Sequence, residues 1–188
     1  MVRVDYLFAS GACSIALLFG CSSSNSTDKA APAATTATES VDFVAESPDF
    51  DCILGWTKVR EFYIKNQSGK MSDALAVANS ANGGKYPVGT IIQLIPQEAM
   101  VKRKAGFSAE TMDWEFFSLN PAPGGTIILS RGTTDVLNQF NLNCLDCHKK
   151  ADPKFDMLCE TTHGCDPLPI NAATIQTIQQ GDPRCHDQ

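Results

Sequence analysis

The stretch from residue 87 to residue 130 decides the fold. It reads Pro87-Val88-Gly89-Thr90, then Ile91-Ile92-Gln93-Leu94-Ile95, then Ala99 to Lys104, a turn at Ala105-Gly106, then Asp113-Trp114-Glu115-Phe116-Phe117-Ser118-Leu119, the turn Pro121-Ala122-Pro123-Gly124-Gly125, and Thr126 to Ser130. Short apolar or aromatic runs bounded by Gly and Pro are strand signals, because β-branched and aromatic side chains suit a pleated surface and Gly and Pro suit turns. Four strands with short connections predict antiparallel pairing.

Outward from this run the pattern turns helical. Trp56, Val59, Phe62 and Tyr63 recur at helical spacing, predicting a helix over 56–67 that Gly69 ends. Ser72-Asp73 can cap a second helix over 74–81, which Asn82-Gly83-Gly84 stops. A third helix is expected over 142–150. A terminal one is expected over 172–180, with Ile175 and Ile178 facing inward. The fold class is therefore α+β: an antiparallel sheet with flanking helices, one of them late in the chain.

The 188 residues carry 43% hydrophobic and 19% charged side chains, enough apolar surface for one folded domain. The net charge of −6 argues against nucleic-acid binding, which wants a basic face. Eight cysteines favour an oxidising compartment. Residues 1–20 read as a signal peptide, with Arg3 before the apolar stretch Tyr6 to Phe19. Leu18-Phe19-Gly20-Cys21 resembles a lipobox, so cleavage before Cys21 and lipidation of its sulfur and amine are expected. Ser22 in place of an aspartate points to the outer membrane rather than the inner one. Several acyl chains suffice for stable anchoring in the bacterial cell envelope, facing the periplasm. Residues 21–47 are then the lipidated cysteine and a flexible tether. Of positions 22–47, 17 of 26 are Ser, Thr, Ala or Pro. Residues 48–188 form the folded domain.

Cys144-Leu145-Asp146-Cys147-His148 carries the chemistry. Two thiols two residues apart can add to the two vinyl groups along one porphyrin edge, and the next imidazole can bond the iron: the c-type haem attachment pattern. Composition alone predicts roughly 0.005 such matches per chain. Two other readings compete. A redox Cys-x-x-Cys usually opens a helix in a βαβ unit. A zinc site would recruit Cys159, His163 and Cys165. With Cys13 removed, Cys21 lipidated and two thiols on haem, Cys52, Cys159, Cys165 and Cys185 remain. Of the three connectivities these four allow, Cys159 with Cys165 and Cys52 with Cys185 is preferred.

The order of these pieces resembles the cytochrome P-460 family: Tyr86-Pro87-Val88-Gly89-Thr90, Met100-Val101-Lys102-Arg103, Asp113-Trp114-Glu115-Phe116-Phe117, then the late Cys144–His148 motif and the acidic, aromatic stretch Asp152 to Asp156. The resemblance spans about residues 55–160. It implies export, an antiparallel sheet with flanking helices and one covalent haem c. Members of one style oxidise hydroxylamine through a lysine cross-linked to the haem. Members similar to cytochrome c′-beta lack the cross-link, cap the distal face with aromatic rings and bind nitric oxide. The strand Ile91–Ile95 has no lysine at the aligned place, and Lys102 and Lys104 on the next strand are weaker candidates.

His148 is the expected proximal and metal ligand, held with Cys144 and Cys147. The sixth position decides behaviour. Met100, Met112, His163 and His186 are candidates for it, Met157, nine residues after His148, is expected along the proximal side, and an open position is favoured. Trp114, Phe116 and Phe117 are expected to line the distal face, with Glu115 as a candidate proton-transferring carboxylate or else salt-bridged to Arg103. The expected function is a cell-envelope haem protein that binds nitric oxide or a similar small nitrogen ligand, or transfers electrons with a redox partner protein. The alternatives are a hydroxylamine-oxidising enzyme and a six-coordinate electron shuttle; a homodimer is left open.

Overall fold

A computed structural model describes residues 41–185. The expected signal peptide, Cys21, most of the tether and His186 lie outside the described residues.

Six strands form one sheet in sequence order, each antiparallel to its neighbours: β1 (Thr57–Val59), β2 (Phe62–Asn66), β3 (Thr90–Gln93), β4 (Glu98–Lys102), β5 (Trp114–Ala122) and β6 (Gly125–Gly132). Three helices accompany it: α1 (Met71–Ala78) between β2 and β3, then α2 (Cys144–His148) and α3 (Ala172–Gln180) after the sheet. The molecule is α+β, as the turn-bounded apolar runs imply. No helix among the described residues is long and apolar enough to cross a membrane.

The helix expected over 56–67 is instead the β1–β2 hairpin. Arg60 takes a left-handed backbone (φ 50°) at the turn, and Ile64 pairs with Ile92 of β3. Val59, Phe62, Tyr63 and Ile64 are β-branched or aromatic, and cross-strand packing outweighs the helical spacing that Trp56 to Tyr63 also satisfy. The other elements fall within a few residues of expectation.

Alternation along the strands sorts the core onto two faces. On one, Phe62, Ile64, Ile92, Met100, Trp114 and Phe116 pack with Ala74 and Ala78 of α1, Leu145 of α2, Tyr86 and Met157. On the other, Ile91, Val101, Phe117 and Leu119 pack with Phe50 and Ala45. Ala45 is fully buried and Asp42 is bonded to Arg103, so the folded part already includes residues assigned to the tether. The boundary at residue 47 is therefore too late: the second face of the sheet needs a cover, and the chain before Ser47 supplies part of it.

Both disulfides form as preferred, Cys52–Cys185 and Cys159–Cys165. At Gly83 (φ 73°) any Cβ would lie 2.0 Å from the Lys154 carbonyl oxygen, so only glycine lets the turn after α1 dock on the segment that follows α2.

Candidate functional site

The Cys144–His148 motif coincides with α2. Asn143 caps it: its side-chain oxygen accepts from the Asp146 amide at 3.1 Å, while its amide group donates to the Thr134 carbonyl at 2.6 Å. Leu145 is buried in the core, so the helix is pinned by its apolar residue while Cys144, Cys147 and His148 look outward. All three line a cavity of about 960 Å³. That is at the upper end of the roughly 300–1,000 Å³ typical of cofactor and ligand sites. Its walls are Phe62, Ile92, Leu94 and Met100 from the sheet, Phe140 and Leu142 before the motif, and Leu158 to Thr161 and Asp166 to Asn171 after it, with Ile175 of α3.

Cys144 and Cys147 are the free cysteines among the described residues. Burial pushes the Cys144 thiol up to about 12, the opposite of the lowered value that a redox-active dithiol needs. The motif helix follows an antiparallel sheet and not a βαβ unit, which also disfavours the redox reading. The zinc reading fails on its ligands. Cys159 and Cys165 are joined to each other, and His163 stacks on Phe155 with ring centroids 3.7 Å apart while its Nδ1 hydrogen donates to the Leu158 carbonyl. Cys52, Asp182 and Cys185 cluster within 4.8 Å, but the two sulfurs are a disulfide.

His148 donates from Nδ1 to the Met157 carbonyl at 2.8 Å, which fixes the tautomer and leaves Nε2 as a lone-pair donor. Burial lowers its pKa, keeping the ring neutral as a metal ligand must be. Phe116 supports the imidazole from the sheet, ring centroids 5.1 Å apart.

The expected distal lining is corrected. None of Trp114, Glu115, Phe116 and Phe117 lines the cavity. Trp114 packs edge-on to Tyr86 and donates from its indole to the Asp156 carbonyl at 2.6 Å. Phe116 lies against His148 itself. Glu115 and Phe117 point to the opposite face of the sheet, where Glu115 is ion-paired with Arg103 and with Arg131 at 2.7 Å. The salt-bridged alternative for Glu115 holds, and its candidate catalytic role does not. The reason is register: β5 is covered on the cavity side by α2, so β2, β3 and β4 supply the open wall.

Lys102 is buried and paired with Asp156 at 2.7 Å, and Lys104 is exposed; neither lines the cavity. Among the sixth-ligand candidates, Met100 lines it and Met112 and His163 do not, nor does Met157. Glu98, at the start of β4, was missed. It lines the cavity with Asn138 and Cys144, and burial pushes its carboxyl up to about 7. The signal was available: Glu98, Met100 and Lys102 share one face of a strand, and starting that strand at Ala99 hid its first residue.

Comparison with protein-family models, with curated proteins and with solved structures found no match.

Proposed function

We propose that this chain is a c-type haem protein of the cytochrome P-460 kind, closest in style to the members without a lysine cross-link. One observation carries the reading. The two free thiols of the described residues and an imidazole with its Nε2 unengaged line a single, largely apolar cavity of cofactor size. Cys144 and Cys147 would hold the porphyrin by thioethers, and His148 would hold the iron. The bound group supplies reversible one-electron chemistry and a coordination position for small ligands. The protein's part is to orient and to enclose. Met157 and Phe116 fix the imidazole plane, while Leu94, Phe140, Leu142 and Ile170 give the group apolar walls.

These surroundings support an open sixth position that takes nitric oxide or a similar small nitrogen ligand, in a lipid-anchored protein of the bacterial envelope. Met100 supports a second reading, a six-coordinate electron shuttle, because it lines the same cavity. It pairs across the strands with Phe116, which packs on the His148 ring, so a substitution at Met100 separates the two readings. The hydroxylamine-oxidising reading loses support, since among the described residues the one lysine lining the cavity is Lys150, which is bonded to Asp166.

The test is to express the chain in cells with working cytochrome maturation. A mass gain of one haem is expected, lost in Cys144→Ala/Cys147→Ala. The ferrous protein should be high-spin and take up carbon monoxide and nitric oxide. A low-spin ferrous spectrum that Met100→Leu converts to high-spin would establish the shuttle. A chain that gains no porphyrin would overturn the proposal.

A further inference from the structure

Residues 166–171 form one wall of the cavity in an unusual way. Among the described residues, no backbone group from Asp166 to Ile170 takes part in a hydrogen bond, and Asp166 to Pro169 are exposed. Both ends of this strap are fixed. On one side Cys165 is joined to Cys159, and the two sulfurs lie 4.0 and 3.2 Å from the Cys147 carbonyl oxygen. The enclosed loop is pinned further by the Asp152 amide donating to the His163 carbonyl at 2.7 Å. On the other side Asn171 caps α3 through the Thr174 amide at 2.9 Å. Gln179 then ties that helix to the Glu61 and Leu94 carbonyls at 2.6 and 2.7 Å.

Between these anchors, Pro167 and Pro169 limit the backbone to a few extended conformations. Among the described residues the single ion pair holding the strap is Lys150 to Asp166 at 2.6 Å, in solvent. A stiff segment with fixed ends, no backbone bonds and one exposed latch moves as a unit.

We infer that residues 166–171 are a hinged wall that governs entry of small neutral ligands to the cavity, with Lys150–Asp166 as its latch and the Cys159–Cys165 disulfide as its clamp. The inference rests on the haem reading for the identity of the ligand but not for the motion. An exposed ion pair holds such a wall only weakly, so it opens often and the latch modulates the rate without blocking entry. The clamp acts more strongly, because it removes conformations from the chain that leads into the strap.

The test uses the full, haem-loaded protein. Bimolecular carbon monoxide recombination after photolysis is measured together with amide hydrogen exchange at Thr174 and Ile175, whose amides donate to Asn171 at the end of the strap. Asp166→Lys, which sets like charges face to face, should raise both rates by roughly two- to fivefold. The charge swap Lys150→Asp/Asp166→Lys should restore both. Cys159→Ser/Cys165→Ser should raise them further, by about tenfold. Unchanged rates in Asp166→Lys, or faster exchange with unchanged recombination, would overturn the gate, as would Thr174 and Ile175 amides protected as well as those of β3. Haem mass is recorded first: a chain without haem refutes the functional reading, while hydrogen exchange still decides whether the strap moves.

Discussion

Lys102 and Asp156, 54 residues apart in the chain, form a buried ion pair at 2.7 Å that joins the sheet to the segment after α2. Asp156 also accepts from the Tyr86 amide at 2.8 Å, and Lys102 donates to the Met112 carbonyl at 2.6 Å. Burial alone lowers the lysine's pKa and raises the aspartate's, and each partner offsets the other's cost. Removing one partner strands the other's charge. Lys102→Met should therefore lose about 3–5 kcal/mol in denaturant unfolding. The same variant should keep the mass and spectrum of a thioether-bound haem. A change in covalent linkage would instead reinstate Lys102 as a cross-linking residue.

Glu115 belongs to the far face of the sheet, where it neutralises Arg103 and Arg131. Glu115→Gln should cost about 1–3 kcal/mol of stability, from three weakened charge-assisted bonds. Ligand affinity and its pH profile should stay as in the parent. A shifted ligand-binding pH profile would return the residue to the site.

Glu98 gives a pH dependence with a definite sign. Its folded carboxyl titrates at about 7, against an ordinary value of 4.5. Between these values the native state holds a proton that the unfolded chain has released, so this group's contribution falls as pH rises through the window. Below it the carboxyl is neutral in both states. Glu98→Gln should thus gain about 1–2 kcal/mol near pH 8 and nothing near pH 4, read as unfolding midpoints across pH. An equal gain at both ends would show that the carboxylate is solvated.

The two disulfides should differ in worth. Cys52–Cys185 spans 133 positions and Cys159–Cys165 spans 6. In the chain-entropy account, removing the first costs about 5 kcal/mol and the second about 2 kcal/mol. Paired serine variants of each, compared by thermal unfolding, should keep that order.

The strands from Thr90 to Gly132 were legible because each apolar run is short, β-rich and bounded by Gly or Pro. Helix α3 was legible to the residue from the spacing of Ile175 and Ile178, and in the structure Asn171 caps it. The hairpin at Thr57–Asn66 was not, since Trp56, Val59, Phe62 and Tyr63 fit both periods and only pairing with β3 chooses between them. The motif and its spacing could be read from cysteine positions alone, whereas those positions allow three disulfide connectivities and the fold selects the preferred one. The cavity walls could not. Which face of β5 meets α2 depends on where Leu145 seats, and that contact between distant segments has no local signature. For the same reason the aromatic strand drew attention that belonged to Glu98 and to residues 166–171.

The Cys52–Cys185 bond also has a mechanical meaning. It turns everything between those positions into a covalent ring, with the six strands inside it. A pull on the leading segment would first peel residues 42–50 from the second face of the sheet and would then pass through two sulfur atoms instead of along the strands. From that point the bond bears the tension, and the strands and the cavity wall inside the ring bear none.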